Sequence, residues 1–312
     1  MKPWFDVLFA LIIFPGVGFL LACTFLSQWI DRRVAARLQA RVGPPWFQPV
    51  ADLIKLFAKE DVLPIGARPL ACTVLPILSF AAVLTAAMYI PVGGHVAHSF
   101  EGDLIVVLFL LSLPSLAYFL AGWFSVSIYS VVGGNRALLQ YFSYEVPFLM
   151  ALSGPAIACG SWSIARIAQF QAASIWMVWV QPLGFVLALV GLITKLKRSP
   201  FDIPKAKSEI SAGPLTEFSG RKLALWMLSL HLKMVVGIFL LVNAYLGGSG
   251  GSAAWLGAAG FMIKSLFILL LLSAASVLYA RLRIDQLTDI GWRVLAPLAL
   301  LQLLFTVLLG VR

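Results

Sequence analysis

The amino-acid sequence predicts an all-α fold, a polytopic membrane bundle of about eight transmembrane helices with an interfacial amphipathic helix and structured cytoplasmic loops. Three observations predict it. The chain is 61% hydrophobic and 12% charged, with a mean hydropathy of +0.96, whereas a soluble domain is about half apolar and a quarter charged. Eight stretches approach the ~20 apolar residues that a bilayer crossing needs. Lysine and arginine collect in alternate connections, as the positive-inside rule requires of cytoplasmic loops.

The eight stretches are Trp4–Ile30, Leu70–Ile90, Leu104–Val126, Tyr141–Ala158, Ile175–Thr194, Leu223–Leu246, Ala254–Ala280 and Gly291–Leu309. Residues 1–312 then form a single integral membrane domain, with cytoplasmic loops near 31–69, 127–140, 195–222 and 281–290. Both termini are expected outside, where only Lys2, Arg166 and Arg312 are basic. Met1–Asp6 leads into an apolar run longer than a signal-peptide core, so no cleavable leader is expected. The net charge of +10 fits loop orientation better than nucleic-acid binding.

Between the first two spans, apolar Phe47, Val50, Leu53, Ile54 and Phe57 recur at helical spacing while Gln48, Asp52, Lys55 and Lys59 lie off that stripe. This predicts a helix lying in the membrane interface. After the fifth span comes a polar island, Lys195–Lys222. Within it, Pro204 suits a first helical turn and Gly213-Pro214 a stop, so a short helix over 204–212 is expected. That helix would set Asp202, Lys205 and Glu209 on one face.

Ionisable residues inside apolar spans are functional candidates by default. Glu145 lies at least one turn inside the fourth span, and Lys233 and Lys264 lie in the sixth and seventh. Lys233 must face the bundle or snorkel, and it cannot share a helix face with His231. Lys264, close to an outer end, has snorkelling as an equal alternative. Cys23, Cys72 and Cys159 show no C-x-x-C spacing, and His95 and His98 have only Glu101 near them, so no metal site is expected. No phosphate loop, nucleophile elbow or cofactor fingerprint is present, so no catalytic centre is expected in this chain alone.

Several motifs carry a family resemblance. Ser199–Gly220 reads Pro-Phe-Asp, a charged segment ending in Glu209, Ala-Gly, then Glu217-Phe-Ser-Gly. The first loop has Arg41-Val-Gly-Pro, Gln48-Pro-Val-Ala-Asp52 and Lys55-Leu-Phe-Ala-Lys59-Glu60. The fourth span opens Arg136-x-x-x-Gln140-x-x-x-Tyr144-Glu145-x-Pro147. These resemble the membrane coupling subunit shared by respiratory complex I and the membrane-bound energy-converting [NiFe]-hydrogenases.

The resemblance implies a subunit that docks an iron-sulfur subunit and a large catalytic subunit, beside antiporter-like membrane subunits. Iron-sulfur clusters and Ni-Fe would belong to those partners. Its proton path would run through Glu145, Asp202, Glu209, Glu217 and Lys233. Its docking surface and reaction-chamber edge would use Arg32, Arg33, Arg37, Arg41, Gln48, Asp52, Lys55, Lys59, Glu60, Arg136, Lys205, Lys207 and Arg221.

Three departures point within the family. The short Gly43-Pro44-Pro45 lacks the longer insertion of complex I, Ser229-Leu-His231-Leu-Lys233 replaces its Glu-Tyr, and Lys205 and Lys207 replace carboxylates. They resemble the hydrogenase branch, with a quinone-binding subunit as the alternative. A stand-alone transporter, with Glu145, Lys233 and Lys264 as its ion site, is the reading from another class. The two halves of the chain show no repeat that would favour it.

Overall fold

The computed structural model describes residues 16–250 and 254–308. Its elements are α1 (Val17–Leu38), α2 (Gln48–Ala58), α3 (Pro69–Met88), α4 (Asp103–Phe124), α5 (Ile128–Cys159), α6 (Ile164–Ala173), α7 (Met177–Val180) and α8 (Pro182–Lys195). They continue with α9 (Lys207–Ile210), a 3₁₀ turn (Gly213–Leu215), α10 (Gly220–Tyr245), α11 (Ala254–Leu278), α12 (Ile284–Ile290), a π turn (Gly291–Leu295) and α13 (Ala296–Leu308). No strand occurs among the described residues. The central element is α10, whose second half is continuously buried from Leu232 to Tyr245 and which packs on α1, α2, α3, α6 and α11. A helix apolar all round has to be buried, and this one is. The long α5 packs on α4, α8 and α13.

Six helices among the described residues are long and apolar enough to cross a membrane: α3, α4, α5, α10, α11 and the continuous α12–α13. Two of the expected eight spans are not among these six. The first span falls partly on residues 4–15, outside the described residues. The fifth is broken, because Gln181 leaves the helical region at φ −130 and ψ 61 and Pro182 has no N–H to continue α7 into α8. Only 14 residues of α8 remain.

The turn expected at Gly133-Gly134, in the connection at 127–140, is helical instead: the pair lies inside α5, which starts at Ile128. These glycines serve close approach, since a Cβ on Gly133 would come within 2.7 Å of Pro214 Cδ.

The helix expected over 204–212 is one turn, Lys207–Ile210. Gly213, at φ +64, folds the segment back so closely that a Cβ there would meet the Pro204 carbonyl oxygen. Asp202, Lys205 and Glu209 consequently share no helix face. The helix predicted near 47–57 is present as α2, but its apolar residues divide between two sides. Val50, Ile54 and Phe57 are exposed, while Pro49, Leu53 and Leu56 line a cavity against α1 and α10.

Candidate functional site

The carboxylate of Glu145 on α5 meets the ammonium of Lys195 at the end of α8. Lys195 Nζ donates to both oxygens, at 2.8 and 3.0 Å, and Glu145 and Lys195 are 6% and 2% exposed. A buried carboxylate without a partner is expensive, and this one has a cation on both oxygens. Phe148 covers the pair, its ring centroid 4.9 Å from Nζ.

Lys233 on α10, 1% exposed, faces into the bundle. Its Nζ donates to Ser115 Oγ at 2.8 Å and to the Lys195 carbonyl at 3.3 Å. Ser115 Oγ in turn lies 3.2 Å from Tyr144 Oη. Four helices, α4, α5, α8 and α10, thus contribute to one continuous line of polar contacts. Lys197 is buried nearby, 3% exposed, with Nζ 3.9 Å above the Tyr118 ring. Burial, then the nearby charges of Lys205 and Lys195, push the Lys197 ammonium well below its ordinary range. Glu145, Lys195 and Lys233 are thus dry, mutually close and linked by hydroxyl and carbonyl groups.

Sequence reasoning sets Lys195 and Lys197 in a solvated loop, and their burial is the principal feature that it missed. The available signal was Leu196 between them and an unbroken apolar run before them.

At the loop end, Glu209 binds Arg136 of α5 and Arg281, the latter at 3.3 Å. The Arg136 guanidinium lowers the Glu209 carboxyl below its usual range, and Arg281 adds to this. Arg198 grips Asp31 with two hydrogen bonds of 2.7 Å, and Ser273 donates to the same carboxylate at 2.6 Å. The backbone N–H of Val62 donates to Ser219 Oγ, and the Arg221 N–H donates to Asp61. These contacts tie the first, fifth and seventh connections together, so Glu60, Arg136, Glu209 and Arg221 belong to one assembled surface. Asp202 and Lys205 are half-buried beside it. Glu217 is half-buried and joins none of these ion pairs, and the Lys207 side chain lies outside the described part. Arg33, Arg37 and Arg41 are exposed on or just beyond the end of α1.

A separate cavity of about 400 Å³ opens between α1, α2 and α10. Arg32 donates to Asp52 at 2.7 Å, and Gln48 to the other oxygen of Asp52 at 2.8 Å. Gln28 and His231 meet at 3.1 Å on its inner wall. Lys55 and Lys59 stand at its rim.

Lys264 is half-buried and joins none of these groups: it donates to the Leu246 and Gly248 carbonyls at 2.7 and 3.0 Å. A cation there satisfies carbonyls left open at the end of α10. Glu101 is held by Ser161, Trp162 N–H and Arg166. Among the described residues no group of three His, Cys, Asp or Glu is placed to hold a metal ion.

A family profile described as NADH dehydrogenase matches residues 10–307. The NADH-quinone oxidoreductase H subunit of Thermomicrobium roseum is 36% identical over 327 residues, covering 94% of each chain. Its counterpart of the same description in Carboxydothermus hydrogenoformans is 31% identical, covering 96% of this chain and 89% of that one. A chain in the structure of the membrane-bound sulfane sulfur reductase, an archaeal respiratory membrane complex, superimposes with a TM-score of 0.87. It is 27% identical and covers 98% of this chain and 100% of its own.

Proposed function

Since the chain belongs to the NADH dehydrogenase family, a membrane subunit of an oxidoreductase complex, we propose that it anchors a peripheral redox arm and couples electron transfer to H⁺ or Na⁺ translocation. The observation that carries this reading is the buried line from Lys233 through Lys195 to Glu145, with Lys197 buried nearby, beside loops that are tied into one surface. Charge changes above the loops would act on it through a dry interior, where screening by water and salt is weak. The loop surface would receive an iron-sulfur subunit and a large catalytic subunit, and adjacent antiporter-like subunits would take over the ion. Both chain ends lie outside in this reading. The finer proposal is a hydrogenase-type complex with a soluble electron acceptor and Ni-Fe in the partner. The short Gly43-Pro44-Pro45 connection and the lysines at 205 and 207 support it, as does the likeness to a relative described as a sulfane sulfur reductase.

The second reading is a quinone acceptor, and the cavity between α1, α2 and α10 favours it. Its volume lies in the range of small-molecule sites. Apolar Phe25, Leu53, Leu56 and Met227 line it together with Gln28 and His231, which suits a ring bearing two carbonyl groups. Two measurements on the complex purified in mild detergent decide between outcomes. Mass spectrometry should find iron-sulfur partners in the wild type and their loss in Arg41→Glu/Arg221→Glu; a chain that purifies alone would sink the coupling reading. Quinone-site inhibitors should leave turnover unchanged, whereas stoichiometric inhibition would select the quinone reading.

A further inference from the structure

A second groove, of about 220 Å³, runs along the opposite side of α1 between α10 and α11. Cys23, Leu26 and Ile30 of α1 face Phe239 of α10 and Leu266 and Leu269 of α11 across it. Leu26 is 56% exposed and Leu266 39%, so the groove opens on the outer face of the bundle. Three- and four-residue spacing continues the α1 wall from Cys23, Leu26 and Ile30 to Arg33 and Arg37. Ile30 to Arg37 is seven residues, or about 10 Å of helix. Trp29, over whose ring the Arg33 guanidinium sits at 5.1 Å, marks the level of a membrane–water boundary.

The neighbouring charges of α1 are already committed, Asp31 to Arg198 and Arg32 to Asp52. Among the described residues, neither Arg33 nor Arg37 has a carboxylate at ion-pair distance. The result is a mostly apolar groove whose α1 wall continues, one to two turns further on, to two exposed arginines.

We propose that this groove is a binding site for an anionic phospholipid of the basic-loop leaflet, with an acyl chain lying along Cys23, Leu26 and Ile30 and the phosphate held by Arg33 and Arg37. Guanidinium groups suit phosphate because their paired N–H donors match its oxygens. Apolar groove and cationic end belong to one helix face, which is what favours a lipid over a protein partner at these arginines. The proposal rests on the membrane reading of the chain but not on the coupling mechanism.

The test uses the intact complex in mild detergent with phosphatidylglycerol carrying a diazirine in its acyl chain. After irradiation, peptide mapping should find label on the Cys23–Ile30 and Met262–Leu269 stretches. Arg33→Gln/Arg37→Gln should weaken groove labelling by about fivefold for each arginine, roughly 25-fold in all. Leu266→Trp, which fills a half-exposed position of the groove, should abolish it while subunit composition stays unchanged. Equal groove labelling by phosphatidylcholine, or labelling indifferent to both variants, would overturn the site. Loss of peripheral subunits from the arginine variant with groove labelling intact would assign the arginines to protein docking and overturn it as well. Absence of label from every apolar helix of the chain would instead overturn the membrane reading beneath it.

Discussion

At Lys195 and Glu145 the interior holds a charge pair whose two members are almost inaccessible to water. Such a pair can contribute little net stability, yet removing one member strands the other and costs about 3–5 kcal/mol. Lys195→Met should therefore lower the thermal melting point of the purified complex more than Lys195→Met/Glu145→Gln does. Equal melting of the two variants would mean that the pair is not ionised. The surface ion pairs behave differently. Glu209 has its pKa lowered by Arg136 and Arg281, and a lowered carboxyl pKa stabilises the fold above the unfolded value. That contribution falls away as pH drops through the folded value. Because Glu209 is half exposed, the effect is screened and stays within about 1 kcal/mol. Protection of the 199–212 segment, taken as exchange relative to the intrinsic amide rate at each pH, should fall below about pH 4.5, close to the ordinary carboxyl range, and Glu209→Gln should show the lower protection already at pH 7. An unchanged exchange rate in that variant would leave the loop anchored by packing alone. Glu145 was legible as a candidate from its depth in an apolar run. Its partner was not, because Lys195 stands at the junction between an apolar run and a basic island, and sequence cannot tell which side of that junction a side chain enters.

Elements were read well where composition decides and poorly where close packing does. The apolar runs of α3, α4, α10 and α11 were placed within a few residues, since burial in lipid or protein demands them. Gly133-Gly134 was misjudged because glycine signals a turn as readily as close helix contact, and only the position of Pro214 distinguishes the two. The break at Gln181-Pro182 was missed because the hydropathy window spans it without a dip. The loop helix was overextended because Pro204 can start a helix but cannot guarantee one. What fixes that loop is Gly213, with positive φ and no room for a Cβ beside Pro204. Gly213→Ala should cost about 1–3 kcal/mol of local stability, read as faster proteolysis between residues 199 and 216 while the bundle remains folded. Wild-type protease resistance in this variant would show that the fold-back is not under the constraint described here.

For the whole molecule, the arrangement of charge bears most directly on function. The connected loops form a lid of ion pairs, and the line of Lys233, Lys195 and Glu145 lies beside it, with Lys197 buried nearby. One unit of charge added by a redox step about 10 Å away, at an effective dielectric near 20, is worth about 1.7 kcal/mol. That is a little over one pKa unit, enough to move a proton between closely spaced groups and too little to unfold the bundle. In the coupling reading proposed above, the buried line would carry the signal rather than the Asp202–Glu209 stripe, since Glu209 is engaged with two arginines at the surface and Lys233 provides the contact between α10 and α8. Lys233→Met keeps most of the side-chain volume while removing the donor to Ser115 and Lys195. It should leave the complex assembled and electron transfer at least partly intact, and it should lower the number of ions moved per electron in reconstituted vesicles. Glu145→Gln should do the same, whereas Glu209→Gln should chiefly loosen the loop. If Lys233→Met transports ions at the wild-type stoichiometry while Glu209→Gln does not, coupling runs along the surface ion pairs and the buried lysines only support the bundle.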